Sequence, residues 1–322
     1  MTSIHNTFSL PLRVKSLNVK APLDIKTYDG GNQCLHPSCL FFHDGWKGYK
    51  FWLVVTPYKE MNEAIENPCV YCSNDGERFY ACENANPLDN ISLAPEFEYN
   101  SDPEMVYNQD LNRIECWWRR VLTSKYPIET DRNCEILYRS YSYDGVNWSQ
   151  KESILRYKNA IEATRGIISP SIIYENGVYD IWVTCSHTMD SSERTLVRYS
   201  YRDGDCIQGV SEYKPKHSLS HICAIKEGGE VSLIGFDVSQ PGFPYMLYKL
   251  NLNDKLSFEG TILRRGKNDS WDGSRLYRPY VLKVDEEYWL YYSAYQENPS
   301  GNCHVGLLKF HEWKELLNCF IM

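Results

Sequence analysis

Five short apolar runs open on residues able to do chemistry. The openings are His36-Pro37-Ser38, Asp102-Pro103-Glu104, Ser169-Pro170-Ser171, His221-Ile222-Cys223 and Arg278-Pro279-Tyr280. Together they hold two imidazoles, a carboxylate, a hydroxyl and a guanidinium. Further candidates stand nearby: Glu66 and Asn67 in "EAIENP", Arg165 in "ATRGIISP", and Trp271, Asp272 and Tyr277 in "SWDGSRLYRP". Aromatic faces that stack on the C–H faces of sugar rings, beside polar groups that read hydroxyls, suit a carbohydrate ligand. Asp102 and Glu66 are the two carboxyls that hydrolysis of a glycosidic bond would require. In the inverting case such a pair stands about 6.5–9.5 Å apart, leaving room for a water. Asp102 would act as base, or as the carboxylate that tunes it, and Glu66 as proton donor. His36 and His221 would bind hydroxyls or hold a carboxylate in place. Arg165 and Arg278 suit an acidic sugar or a phosphate, or would orient the carboxylates, because a planar fork binds carboxylate bidentately.

These residues need a scaffold that gathers them, and the chain repeats one. Each opening leads into a short apolar strand, a tight turn and a longer aromatic strand: "SCLFFHDGWKGYKFWLVV", "EMVYNQDLNRIECWWRRVL", "SIIYENGVYDIWVTC", "CAIKEGGEVSLIGFDV" and "YVLKVDEEYWLYYSAY". A later half follows, with the hairpin signal Ser-x-Asp-Gly at Ser73–Gly76 and again at Ser142–Gly145. Successive openings lie roughly 50 to 70 residues apart, the order expected of a four-stranded propeller blade with loops. Five units fill the chain. The expectation is an all-β fold: a single five-bladed β-propeller domain over residues 1–322, four antiparallel strands per blade, with 1–30 packing on the ring or closing it. Helix is expected only as a turn or two in "EMNEAIE" and "FHEWKELLNC". In such a ring the inner strands line a channel, so the five strand heads meet at one mouth.

Composition agrees with a binding surface for something other than nucleic acid. The 322 residues carry 25 Tyr, 11 Phe and 9 Trp and a net charge of −8. No basic cluster of the density a nucleic-acid surface needs is present. No apolar run is long enough to span a membrane. The start, "MTSIHNTFSLPLRVKS", lacks the apolar core of an export signal, so a cytoplasmic, reducing location is expected, and the 12 scattered cysteines read as buried free thiols. Cys69-Val-Tyr-Cys72 has no second ligand pair, so no metal is expected there. No cofactor is expected, although an oxygen-rich channel would suit a structural calcium. Nothing in the sequence sets the oligomeric state.

The strand heads resemble those of the five-bladed glycoside hydrolases of family 43, with their relatives of families 32, 62 and 68. More narrowly, "HPSCLFFHDGWKGYKFWLVVTPY…ENPCVYCSNDGERF" is similar to a subgroup found in bacterial polysaccharide gene clusters and in phage tail or depolymerase proteins, which adds a phage particle as an alternative location. The resemblance implies a glycosidase acting on a bacterial polysaccharide or oligosaccharide. The chain departs from it at the catalytic positions. His36 stands where family members place an Asp base, Ser169-Pro170 with Glu162 and Arg165 upstream stands where they place a Glu acid, and Ser220 precedes His221 in place of Trp. Two other classes therefore stay open: a sugar-transferring enzyme of polysaccharide assembly, and a glycan-binding propeller without chemistry.

Overall fold

The computed structural model describes residues 16–17, 19, 21–82, 86–91, 93–159, 164–187, 193–297 and 301–321. After a short strand β1 (Ser16–Leu17), five antiparallel sheets follow in chain order. Blade 1 is β2 (Cys34–Trp46), β3 (Tyr49–Pro57), β4 (Cys69–Ser73) and β5 (Tyr80–Ala81). Blade 2 is β6 (Glu98–Asn108), β7 (Arg113–Leu122), β8 (Cys134–Ser142) and β9 (Glu152–Lys158). Blade 3 is β10 (Arg165–Glu175), β11 (Val178–Ser186), β12 (Thr195–Tyr201) and β13 (Gln208–Tyr213). Blade 4 is β14 (Leu219–Glu227), β15 (Glu230–Asp237), β16 (Tyr245–Leu250) and β17 (Leu256–Arg264). Blade 5 is β18 (Arg275–Val284), β19 (Glu287–Tyr295) and β20 (Cys303–Phe310), three strands among the described residues. The last strand, β21 (Cys319–Ile321), turns back to pair in parallel with β17 and with β1. The Leu23 amide donates to Val305 of β20 at 2.8 Å, so the N-terminal stretch runs along the outer edge of blade 5. Helix is confined to four 3-10 turns among the described residues, two of them in the 59–65 stretch and one at Trp313–Glu315.

The core is five wedges, one between each pair of neighbouring blades. Successive residues of a strand face opposite sides of its sheet, so Trp117 and Trp118 feed two different wedges. Trp117 packs with Tyr179, Ile181 and Val183 of blade 3, and Trp118 with Trp52, Val54 and Val70 of blade 1. The ring closes where Trp289 of blade 5 stacks on Phe51 of blade 1, centroids 5.1 Å apart. All twelve cysteines are free and all but Cys206 are buried. Both Ser-x-Asp-Gly segments form the expected turns. Ser73 Oγ accepts the Gly76 amide at 2.9 Å and Asp75 Oδ1 the Arg78 amide at 2.8 Å. Ser142 and Asp144 repeat this at 2.8 and 2.7 Å.

Every inner strand carries the same irregularity. The pairing of β2 with β3 shifts by one residue between Leu35 and Ser38, and the inner strands of blades 2 to 5 shift between Ser101 and Glu104, Ile168 and Ser171, Ser220 and Cys223, and Leu276 and Pro279. A bulge of this kind re-aims one side chain. The re-aimed residues are His36, Asp102, Ser169, His221 and Tyr277. The first four take the left-handed conformation, φ 55°, 52°, 44° and 48°. A non-glycine residue held there costs roughly 1–3 kcal/mol, and such residues cluster at functional sites. The register corrects one expectation: Arg278 is not the fifth strand head. Pro279 imitates Pro37 in sequence, but the bulge places it level with Ser38 and puts Tyr277 at the mouth.

Candidate functional site

The bulges bring His36, Asp102, Ser169, His221 and Tyr277 together at one end of the channel, and the loop before β4 adds Glu66. Asp102 is the hub and is fully buried. Its Oδ1 accepts the Ser169 hydroxyl at 2.8 Å and lies 3.1 Å from both His36 Nε2 and His221 Nδ1. Its Oδ2 accepts the Ser169 amide at 3.2 Å and pairs with Arg119 Nη2 at 3.2 Å. Burial alone would raise its pKa, but Arg119, then His221 and His36, hold it well below the usual carboxylate range. Glu66 behaves oppositely. Burial and the nearby Asp102 charge push it well above its ordinary value. Its Oε1 accepts the Ser101 hydroxyl at 2.8 Å and lies 3.2 Å from His36 Nδ1. The His36 ring therefore stands between the two carboxyls.

Burial lowers the pKa of both imidazoles, so each is neutral near pH 7 and presents one lone pair. His36 Nδ1 faces Thr56 Oγ1 at 2.9 Å and Glu66 Oε1 at 3.2 Å, and the tautomer that suits an ionised Glu66 carries its proton on Nδ1. His36 Nε2 is then an acceptor aimed at another acceptor, Asp102 Oδ1, and it is buried without a hydrogen-bond partner. His221 Nδ1 meets the same oxygen and shares the Ser169 hydroxyl at 2.5 Å. Three possible ligand atoms from three blades converge, all within 4.8 Å of one another. Two nitrogens and a carboxylate oxygen so placed fit a divalent cation of the zinc or manganese kind, and Glu66 behind His36 is the carboxylate that commonly orients such a histidine. Tyr277 and Phe236 both lie against His221, centroids 4.3 and 5.2 Å away, and pack on each other at 5.4 Å, giving the mouth an aromatic wall.

Other expected residues fall elsewhere. Asn67 braces the Glu66 loop, donating to Tyr28 OH and accepting from Asn100. Arg165 stands at the mouth beside Glu135, Nε to Oε1 3.5 Å. Arg278 lies below the mouth, wholly buried, donating to Pro103 O, Pro170 O and Glu104 Oε2 at 2.9, 3.0 and 2.5 Å. Trp271 and Asp272 belong to the wedge between blades 4 and 5. The Trp271 indole N–H donates to Val19 O and its ring packs on Tyr292, while buried Asp272 accepts the Tyr292 hydroxyl. A turn beside a strand head brought them near the mouth in sequence, but their side chains point outward along the ring. Glu162 lies outside the described residues. Arg119 and Glu135 were missed because they sit inside β7 and β8 and not at a strand head. Two consecutive arginines in the apolar "CWWRRVL" run were the signal, since a charge there must find a buried partner.

No family model matches the chain. A type A blood N-acetyl-α-D-galactosamine deacetylase of Flavonifractor plautii is 28% identical over 118 residues, which are 36% of this chain and 14% of that protein. The chain thus matches a small part of that relative's length. A solved structure of an N-acetylgalactosamine deacetylase from F. plautii, in complex with blood group B trisaccharide, superposes with a TM-score of 0.77 at 18% identity, covering 93% of this chain and 97% of that one. An exo-β-1,3-galactanase from Phanerochaete chrysosporium superposes with a TM-score of 0.63 at 13% identity, over 91% of this chain and 64% of that one. The fold is thus that of the five-bladed propellers to which family 43 glycoside hydrolases belong. No helix among the described residues is long and apolar enough to cross a membrane.

Proposed function

We propose that the chain is a carbohydrate-active hydrolase that removes the acetyl group from an N-acetylated amino sugar at the channel mouth, with a divalent cation held by His36, Asp102 and His221. The observation that carries this reading is the convergence of three buried ligand atoms from three blades, with His36 Nε2 lying 3.1 Å from Asp102 Oδ1 and without a hydrogen-bond partner. The likeness in fold to an N-acetylgalactosamine deacetylase over nearly the whole of both chains supports the choice of bond. A cation so held polarises a carbonyl and acidifies a water. The chain's own residues do the rest. Glu66, behind His36, takes the Nδ1 proton in a hydrogen bond and so leaves Nε2 free to face the cation. Arg119 and Ser169 keep Asp102 ionised and oriented. Tyr277, backed by the buried Phe236, offers a face to the sugar ring.

A glycosidase using Glu66 and Asp102 as acid and base is the second reading, favoured by the galactanase fold neighbour and by the two carboxyls flanking one point. It fits less well because the His36 ring occupies the space between them and both Asp102 oxygens are engaged. The test is one assay with two readouts. The protein, untreated, stripped with EDTA, and resupplied with zinc or manganese, is given nitrophenyl glycosides of N-acetylgalactosamine, N-acetylglucosamine and galactose. Release of acetate and free amine that EDTA abolishes and metal restores is the expected result. Nitrophenol release without acetate, indifferent to EDTA, would establish the glycosidase instead.

A further inference from the structure

A cleft of about 490 Å³ opens between blades 3 and 4 on the mouth face. Its inner end adjoins the site: Cys185, in its wall, contacts the Gly166 carbonyl beside Arg165, and Ser218 lies three residues before His221. Arg194 feels the charges of Arg119 and Arg165, which together with burial depress its pKa. Three lining atoms are buried without a hydrogen-bond partner: Arg194 Nε, Thr195 Oγ1 and Ser218 Oγ. No carboxylate lies within ion-pair distance of Arg194 among the described residues, whereas Arg119 and Arg165 each have one. The rest of the lining is of mixed charge and includes Lys214, Lys216, Glu193 and Glu212. The floor therefore offers one guanidinium N–H and two hydroxyls, with no carboxylate among them. Buried polar groups are satisfied in stable proteins, and a donor set of this composition is completed by an oxyanion.

We infer that this cleft is a subsite for an anionic substituent of the saccharide, a carboxylate or phosphate on the residue next to the one that reacts, and that Arg194 reads its charge. The inference rests on the proposed site at the mouth, which fixes where the reacting sugar sits. The guanidinium Nε–H donates to the oxyanion, and Thr195 and Ser218 add hydroxyl donors from two different blades. A neutral glycan would leave Arg194 beside two like charges and unpaired, so the cleft selects against it.

The test follows the Arg194 Nε–H resonance in protein labelled with ¹⁵N at arginine, assigned by its loss in Arg194→Met. Glucuronate, its methyl ester and glucose 6-phosphate are titrated at constant ionic strength. A saturable shift with glucuronate or the sugar phosphate, and none with the ester, is expected. Saturation by only one of the two anions names the substituent and upholds the inference either way. Titrated by calorimetry beside the parent, Arg194→Lys should bind the same anion about tenfold more weakly, because an ammonium cannot reproduce the planar fork. Equal shifts with acid and ester, or shifts no larger than chloride gives, would overturn the subsite. Acetate release from neutral N-acetyl sugars is scored separately, so the deacetylase reading can fail while Arg194 responds, and the reverse.

Discussion

Asp102 and Glu66 are both buried carboxyls within reach of one imidazole, yet their protonation differs because their partners do. Arg119 and two imidazoles face Asp102, whereas a hydroxyl and His36 Nδ1 face Glu66. Glu66 must be deprotonated to accept the His36 Nδ1 proton and leave Nε2 free for a cation. Glu66 is pushed well above 4.5, so activity should rise with pH through a limb lying above the ordinary carboxylate range. Glu66→Gln should remove that limb and lower activity by about 10–100-fold, with thermal unfolding showing that the fold persists. A pH–rate profile of both proteins decides it, and an unchanged limb in Glu66→Gln would assign it to another group. Residues of this kind were legible in the sequence where they stood at a strand head or just before a strand. Arg119 was not, because which face of β7 it takes depends on the register with β6.

At the scale of the element, the two Ser-x-Asp-Gly turns do more than reverse the chain. Gly76 has φ 71° and Gly145 φ 82°. A Cβ at Gly145 would fall 2.0 Å from the Trp52 ring of the preceding blade, and one at Gly76 2.4 Å from the Trp289 ring of blade 5. Each turn thus lies against a tryptophan of the adjoining blade. Gly145→Ala meets both an unfavourable backbone and a rigid ring, and should cost about 2–4 kcal/mol in chemical denaturation. Gly204, in the related Asp203-Gly204 turn of blade 3, has φ 87° and open space around it. Gly204→Ala should cost only about 1 kcal/mol, the backbone part alone. Equal losses at the two positions would show that the tryptophan contact contributes nothing. The sequence announced these turns through Asp and Gly, whose roles are local. It gave no sign of the tryptophan above each glycine, because that contact is made between blades. The same limit explains Arg278. A proline after a polar residue marks four repeats, and only the pairing of β18 with β19 reveals that in blade 5 the bulge begins one residue earlier.

For the ring as a whole, the layer below the mouth fastens blade to blade. Ser38 Oγ accepts the Met105 amide at 2.9 Å, Glu104 Oε1 the Ile172 amide at 3.3 Å, Ser171 Oγ the Ala224 amide at 2.9 Å, and Cys223 Sγ the Val281 amide at 3.3 Å. Blade 5 supplies Arg278 to this layer, which reaches across the channel to Pro103, Glu104 and Pro170 of blades 2 and 3. Burial raises the Glu104 pKa to about 7 even against the Arg278 charge. Removing the cation in Arg278→Met strands a buried carboxyl and should cost about 3–5 kcal/mol at pH 8. The sign of the pH dependence follows. Without Arg278, Glu104 holds its proton still more tightly in the folded chain than in the unfolded one, where its pKa is near 4.5. The parent loses stability with the same slope between 4.5 and its own Glu104 pKa of about 7, so the variant's deficit is flat over that range and grows as pH rises above about 7, where only the variant still holds the proton. Adding Glu104→Gln removes the charge that was stranded. The double variant should therefore be more stable at pH 8 than Arg278→Met alone, and its own stability should carry no Glu104 titration between pH 5 and 8, so that its deficit against the parent shrinks as pH rises. Urea denaturation of the two single variants, the double and the parent at both pH values closes the cycle. Additive losses, equal at both pH values, would mean that Arg278 braces the ring through the Pro103 and Pro170 carbonyls and not through Glu104.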